Sequence, residues 1–573
     1  MSVGNRLGPR KLVAPFFVWI AISEMSRLLP AVASFTVAAI LCVVYWHWLG
    51  RPVALPDLPG GRFQCLSYSP YDGNSSPLDA DFDVPRPRIA ADIALIKGVT
   101  GCIRTYSAVG VQGDVTRIAH DHGMQVLQGI WISGDPEANE EEIAAAVDLV
   151  HRYPGTIRGI FVGNEVLLRR EMDGAALVRI IERVRRETGK PVLYADVPHF
   201  WKKYPEVAKA VDIIAIHILP YWDDPAPTSI AQVQQHVAEV IADTRATFPG
   251  KQVMIGEIGW PSAGRTRGGA VPGRVNQARF IREFVNRADA PGVPYNLIEA
   301  IDQPWKRVPE GTVGGYWGIF DQARTLKFPL TGPVREWPHW RRATGLSLVA
   351  MALFLAWGFL SRRMAGIVRW SALAVLALVT GVSLVRLAEM VAVTSLTAFG
   401  WISGGAMAAA TALAAGLIVA RIEGRVAPGA AALAEVIGTR GKRGPWPVAR
   451  RIAAFYWVLA VPVAMLALTI GFDGRHRDLP SWGLWLPGLA LAVMARGGDR
   501  HTEREKAWLT LVLAVSALLA FDGWRDVEAM LWGAAVLLFA VPGWRDLAAE
   551  AKLLASAVKG GRAQQPQYHG DRG

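Results

Sequence analysis

The chain has 573 residues, 51% of them hydrophobic and 19% charged, with a formal charge of +12. That length calls for at least two folded units, and that composition excludes an ordinary soluble enzyme. The charge does not point to nucleic acid: Arg51 to Arg342 holds 34 basic and 34 acidic residues, so the whole excess borders the apolar segments on either side, where it reports topology.

Arg6, Arg10, Lys11 and Arg27 come first, followed by an apolar run from Leu28 to Leu49. That run is roughly twenty residues, enough to cross a bilayer. Trp46-His47-Trp48 is an interfacial aromatic pair, and no small-residue cleavage pattern follows it. Residues 1–50 therefore read as a cytoplasmic N-terminus and an uncleaved signal anchor. The earlier run Leu12 to Ile22 is too short to span and is expected to lie at the interface.

Residues 51–342 alternate short apolar runs with helical patterns. Strands are predicted at Phe63–Tyr68, Cys102–Tyr106, Gln125–Ile130, Ile157–Gly163, Pro191–Asp196, Ile213–His217, Val253–Glu257 and Tyr295–Ile301. Helices are predicted between them, at Asn139–His151, Gly174–Thr188, Ser229–Phe248 and Arg274–Arg287 among others. The fold class is α/β, and eight such units are what a (β/α)8 TIM barrel requires. An open doubly wound sheet would want a glycine-rich phosphate loop after the first strand, and Tyr68-Ser69-Pro70-Tyr71-Asp72-Gly73 is not one. Cys65 and Cys102 fall in neighbouring predicted strands and are expected to be two small buried thiols rather than a disulfide. No Cys/His spacing resembles a metal site, and no cofactor is expected.

Residues 343–543 read as an all-α membrane domain of about seven transmembrane helices, at Thr344–Leu360, Ile367–Val385, Val391–Ala420, Ile452–Phe472, Ser481–Ala495, Ala507–Phe521 and Val527–Val541. Residues 544–573 read as a cytoplasmic tail, ending in the polar stretch Gln564–Gly573. With the N-terminus inside, the inward segments hold about 23 of the 27 flanking basic residues, which places the barrel outside and the C-terminus inside. Gly400 and Gly404 have the small-xxx-small spacing of a helix-packing seam. No span carries a run of ionisable residues, which argues against an ion-coupled transporter.

Barrel sites lie at the C-terminal strand ends. Phe161-Val162-Gly163-Asn164-Glu165 and Ile255-Gly256-Glu257 each deliver one carboxylate beside glycine to such an end. Two carboxyls in one mouth are the minimum equipment for cleaving a glycosidic bond. Glu165 is the candidate acid/base and Glu257 the candidate nucleophile, with Asn164 placed to bond the sugar 2-hydroxyl. Tyr68, Tyr106, Tyr221, Trp260 and Trp305 sit at or near strand ends, where each either stacks on a sugar ring or packs the barrel rim. Arg104, Glu299, Asp302 and Lys306 either orient sugar hydroxyls and the catalytic carboxylates or form a structural ion-pair network. His217 is expected to be a satisfied core histidine.

Val162-Gly163-Asn164-Glu165 and Gly256-Glu257-Ile258-Gly259-Trp260-Pro261-Ser262 closely resemble the acid/base and nucleophile signatures of glycoside hydrolase family 17, the β-1,3-glucanases and β-1,3-glucanosyltransferases. The resemblance continues through Ile103-Arg104-Thr105-Tyr106, Leu219-Pro220-Tyr221-Trp222, Glu299-Ala300-Ile301-Asp302-Gln303-Pro304-Trp305-Lys306 and Tyr316-Trp317-Gly318-Ile319-Phe320-Asp321. Ile258 departs from the Thr or Ser of many members. The resemblance implies a (β/α)8 barrel with a retaining mechanism acting on β-1,3-glucan; it covers none of the membrane segment.

The membrane tether favours transfer over hydrolysis: a membrane-bound β-glucanosyltransferase that branches or cyclises β-1,3/β-1,6-glucan beside a glucan synthase, in the periplasm or extracytoplasmic space of a bacterial inner membrane. The expected partners are thus β-glucan, the lipid bilayer and such a synthase. The alternatives are an endo-β-1,3-glucanase and, from another class, a non-catalytic glucan-binding or export scaffold. A nucleotide-sugar synthase fails because the inward loops are short, basic and lack paired aspartates.

Overall fold

The computed structural model describes residues 13–73, 75–79, 83–224, 227–288, 292–361, 363–425, 448–494 and 503–562. The basic inward segments 426–447 and 495–502 and the tail Gln564–Gly573 lie outside these residues.

Strands buried on both faces need apolar residues at nearly every position, and the β-branched runs supply them. Strands β2 (Leu66–Ser67), β3 (Cys102–Arg104), β4 (Gln125–Ile130), β5 (Ile157–Asn164), β6 (Val192–Asp196), β7 (Ile213–Ile218), β8 (Gln252–Ile258) and β9 (Tyr295–Leu297) pair in parallel and close into a barrel in sequence order. Alternation sorts their side chains. Ile103, Val126, Ile160, Val192, Ile214 and Ile255 face the surrounding helices, whereas Cys102, Leu127, Phe161, Leu193, Ala215 and Met254 fill the interior.

Two features escaped the sequence reading. Strand β1 (Pro52–Val53) pairs antiparallel with β10 (Val334–Arg335), tying the entry of the barrel to its exit. Cys65 and Cys102 form a disulfide with an S–S distance of 2.08 Å, contrary to the expectation of free thiols. Neighbouring parallel strands bring their Cα atoms to 4.5 Å with both side chains in the barrel floor, where pairing is favoured.

The flanking segments are helical. Val13–Leu49 is one helix containing Pro30, so the expected interfacial segment and the anchor are continuous. Helices Trp340–Leu360, Gly366–Thr394, Ala398–Ile422, Val448–Phe472, Ser481–Met494, Arg504–Leu519 and Val527–Ala540 follow, the last running through a 3-10 turn into Trp544–Arg562. Among the described residues six helices are long and apolar enough to cross a membrane; Ser481–Met494 is apolar but short. Trp46 donates to Ser347 Oγ at 3.0 Å, which fixes the N-terminal helix against Trp340–Leu360. A Cβ on Gly404 would lie 2.5 Å from Val391, so Gly404 lines a close seam with the preceding helix, whereas one on Gly400 would lie 2.9 Å from Ser395 in the connecting turn.

Candidate active site

Strict alternation would turn Glu257 outward with Ile255. The ladder between β7 and β8 slips at Ile216/His217, so that His217 rather than Ile218 faces Glu257. The slip aims the Glu257 side chain into the barrel mouth, as bulges beside functional sites commonly do. Gly256 makes it possible, since a Cβ there would come within 3.1 Å of the His217 ring. A second irregularity, between Phe161 and Asn164, ends β5. Beyond it Glu165 takes a left-handed φ of +55°, a conformation a non-glycine residue adopts at some cost. Its N–H donates to the Ala195 carbonyl at 2.8 Å, which holds the turn in place.

His217 joins the two acids. Its Nδ1 lies 2.8 Å from Glu165 Oε1 and its Nε2 lies 3.7 Å from Glu257 Oε1. One imidazole spans both contacts, so the facing carboxylate oxygens are no more than about 9 Å apart, within the range that glycoside-cleaving pairs use. His217 is buried with a hydrogen-bond partner, as expected of a satisfied core histidine, but its partners are the two site carboxylates, so it faces the cleft as well.

Glu257 is nearly buried and well supplied with donors. The Tyr106 hydroxyl donates to its Oε1 at 2.8 Å and lies 2.9 Å from Ser67 Oγ. Arg104 Nη1 sits 3.2 Å from the same Oε1 and donates to the Gly256 carbonyl at 2.9 Å, while Nη2 donates to Asn164 Oδ1 at 2.6 Å. The guanidinium lies over the rings of Tyr106 and Phe161, 4.7 and 4.0 Å from their centroids, which fixes its plane.

Burial would push the Glu257 carboxyl upward, but His217, Arg104 and Lys306 with the Tyr106 hydrogen bond outweigh it and hold the group below its ordinary range. Burial alone would lower His217; the charge of Glu257 and the bond and charge of Glu165 reverse that and raise it. Burial pushes Glu299 up to about 7 although Lys306 Nζ stands 2.9 Å from its Oε2. Glu257 is thus the group kept ionised. The 23% exposure of the Glu165 side chain leaves it open to a bound ligand.

The structure brings Arg104, Tyr106, Asn164, Glu165 and Glu257 into direct contact around His217. Lys306 acts on Glu257 electrostatically through the Glu299 pair, and Trp305 stays half-buried at the rim, its Nε1 donating to Gln303 at 2.8 Å. Four expected site residues are not at the cleft surface. Tyr68 is buried and donates to Asp92 at 2.9 Å, Tyr221 is buried and donates to the Arg265 carbonyl at 2.7 Å, and Trp260 packs on Phe280 and donates to the Val271 carbonyl at 3.0 Å. Asp302 is held by Lys327 Nζ at 2.7 Å and by the Gly318 N–H at 2.8 Å, which makes it a loop tether. Each has its polar atom satisfied inside the protein.

Two further aromatic residues stand beyond strand ends: Trp131, which the sequence reading did not single out, and Trp222, which it quoted in a motif without a role. Trp131 directly follows β4 and is 38% exposed, with the Arg169 guanidinium 4.3 Å from its ring centroid. Its position one residue past a predicted strand end was the available signal. Trp222 is half-buried beyond β7, nearly parallel to Trp317 at 6.5 Å. No cluster of three or more His, Cys, Asp or Glu residues suited to a metal occurs among the described residues.

Residues 65–318 match the model of the BtgE/BtgC glycoside hydrolase domain. A putative glucan endo-1,3-beta-glucosidase, btgC, of Aspergillus niger is 28% identical over 300 residues, covering 46% of this chain and 42% of that protein. A glucan 1,3-beta-glucosidase of Arthroderma benhamiae is 29% identical over 259 residues, covering 41% of this chain and 82% of that protein. The chain thus spans less than half the length of the btgC relative. Among solved structures, the family 17 beta-1,3-glucanosyltransferase from Rhizomucor miehei is 23% identical, covering 47% of this chain and 97% of that chain, with a TM-score of 0.41.

Proposed function

We propose that this chain, whose residues 65–318 are a glycoside hydrolase domain of the family-17-like β-1,3-glucanase type, is a membrane-bound retaining β-glucanosyltransferase that cleaves and religates β-1,3-glucan. The observation that carries it is a single imidazole touching Glu165 and facing Glu257, two acids at the ends of separate barrel strands. Glu165, with its oxygens partly open, gives its proton to the leaving glycosidic oxygen. Glu257, held ionised by Arg104, Tyr106 and His217, attacks the anomeric carbon, and a glycosyl ester forms as the C–O bond breaks. Glu165 then takes a proton from the incoming hydroxyl, which displaces Glu257. His217 stabilises negative charge on whichever acid carries it at each stage.

The incoming hydroxyl belongs to a second glucan chain in transfer and to water in hydrolysis. The six span-length apolar helices support a tethered enzyme, and tethering suits remodelling of a polymer at its site of export by branching or ring closure. The Cys65–Cys102 bond supports an oxidising, extracytoplasmic setting for the barrel. The charge pattern supports an inner-membrane orientation with residues 51–342 outside, 343–543 in the bilayer and 1–50 and 544–573 flanking them. The names of the fungal relatives favour hydrolysis, which is the second reading. Incubating the detergent-purified protein with a defined β-1,3-gluco-oligosaccharide separates the two. Products longer than the substrate, with retained anomeric configuration by NMR, are expected. Only shorter sugars and glucose would replace transfer by hydrolysis, and an unreactive substrate would reject the substrate class.

A further inference from the structure

The loops that leave β7, β8 and β9 form the catalytic mouth, and all three meet the helical region. The segment 473–480, between Val448–Phe472 and Ser481–Met494, lies against them. Thr312 Oγ1 donates to Asp478 Oδ2 at 2.7 Å, and the Arg265 guanidinium donates to the Gly474 carbonyl. His476 Nδ1 lies 3.1 Å from the Glu310 carbonyl oxygen. Further along the mouth, the Thr266 N–H donates to Glu528 at 2.8 Å and the Tyr316 hydroxyl to the Val393 carbonyl at 2.8 Å. The barrel therefore presents its catalytic end, not its floor, to these loops.

Two residues of the segment do more than dock. Arg475 pairs with Asp224 and lies 5.6 Å from the Trp222 ring centroid, and the His476 ring lies 5.7 Å from the same ring. Both side chains stay exposed although each also makes a polar contact across the seam, Arg475 with Asp224 and His476 with the Glu310 carbonyl; Arg265, Thr312, Gly474 and Asp478 carry docking hydrogen bonds of their own. Arg475 and Arg267 stand over the Trp222 ring and His476 beside it, so apolar ring surface and exposed donors lie together, the two surfaces a sugar presents its apolar face and its hydroxyls to. Trp222 is also continuous with the centre. It follows β7, whose His217 touches Glu165, and it adjoins the Glu310 segment, whose carboxyl senses the charges of Lys306, Glu257 and Glu165.

We propose that segment 473–480 of the helical region forms one wall of the glucan groove, with Arg475 and His476 holding a glucose unit against Trp222 away from the bond being cleaved. This rests on the β-glucan reading of the barrel. On it, the helices are part of the substrate site as well as its anchor, and a long glucan is engaged at the outer ends of the helices.

The test uses full-length protein in detergent carrying Glu257→Gln, with and without Arg475→Ala/His476→Ala. Calorimetry measures binding of β-1,3-gluco-oligosaccharides of three and of seven glucose units. The loop variant is expected to weaken the longer ligand about tenfold more than the shorter one, the loss of about one charge-assisted hydrogen bond. Equal weakening of both would show a docking role only, and no change or tighter binding would equally overturn the proposal. If the Glu257→Gln parent binds neither oligosaccharide, the substrate reading itself falls; if it binds both and the loop variant shows no length dependence, the wall alone falls. Should the double variant unfold, as a thermal scan would reveal, His476→Ala and Arg475→Gln carry the same comparison singly.

Discussion

Glu165 and Glu257 have one neighbour in common, and their environments differ as the proposed tasks require: Glu257 is buried beside Arg104 and Tyr106, whereas Glu165 is partly exposed. Removing the acid, as Glu165→Gln, is expected to slow turnover of an oligosaccharide by about 10²- to 10⁴-fold while sparing glycosylation by a substrate with a dinitrophenyl leaving group, which needs no proton. Glu257→Gln should abolish both, so steady-state rates with the two substrates check the assignment. His217 makes a separate prediction. Its folded value is raised, so it binds its proton more tightly in the folded state, and its contribution to stability is complete below about pH 6.5 and fades as the pH climbs through the raised value. Glu257 runs the other way: its folded value is lowered, so its contribution is present above about pH 4.5 and is lost as the pH falls through that value. The Tm difference between wild type and His217→Gln should therefore be largest below about pH 6.5 and shrink as the pH climbs through the raised value. A difference independent of pH would show that the ring acts by packing alone.

At the scale of elements, the chain's periodicity located all eight barrel strands and the helices Asn139–His151 and Gly174–Thr188 within a few residues, because each buried run has its own period. The motif residues Arg104, Tyr106, Asn164, Glu165 and Glu257 were legible for the same reason: they end strands. Periodicity could not report the slip at Ile216/His217, which depends on how two strands pair, and so the position of His217 between the two carboxylates was not visible. Nor could it separate Tyr68, Tyr221 and Trp260 from true platforms, since a strand-end aromatic turns inward or outward according to its neighbours. The Cys65–Cys102 bond also belongs here. It closes a separation of 37 residues between β2 and β3, which restricts the unfolded chain by about 4 kcal/mol. Cys102→Ser should lower Tm by several degrees, and the unreduced, denatured wild type should show one free thiol, Cys42. Three titrated thiols would remove the bond from the account.

For the whole molecule, the prediction concerns sidedness. Protease added to intact spheroplasts should release a fragment containing the barrel, while a reporter fused after residue 573 stays protected. The reverse pattern would place the mouth in the cytoplasm and end the extracellular-glucan reading. Composition, periodicity and the two glycine-flanked carboxylates determined by themselves that the chain is an α/β barrel set among apolar helices, and they singled out Glu165 and Glu257 as strand-end carboxylates, because burial and strand ends are local properties written residue by residue. The tertiary structure alone decided that one histidine lies between the two carboxylates, that two cysteines meet in the barrel floor, and that the C-terminal end of the barrel turns toward the loops of the helical region. Those depend on which surfaces meet across hundreds of residues, and no local pattern encodes that.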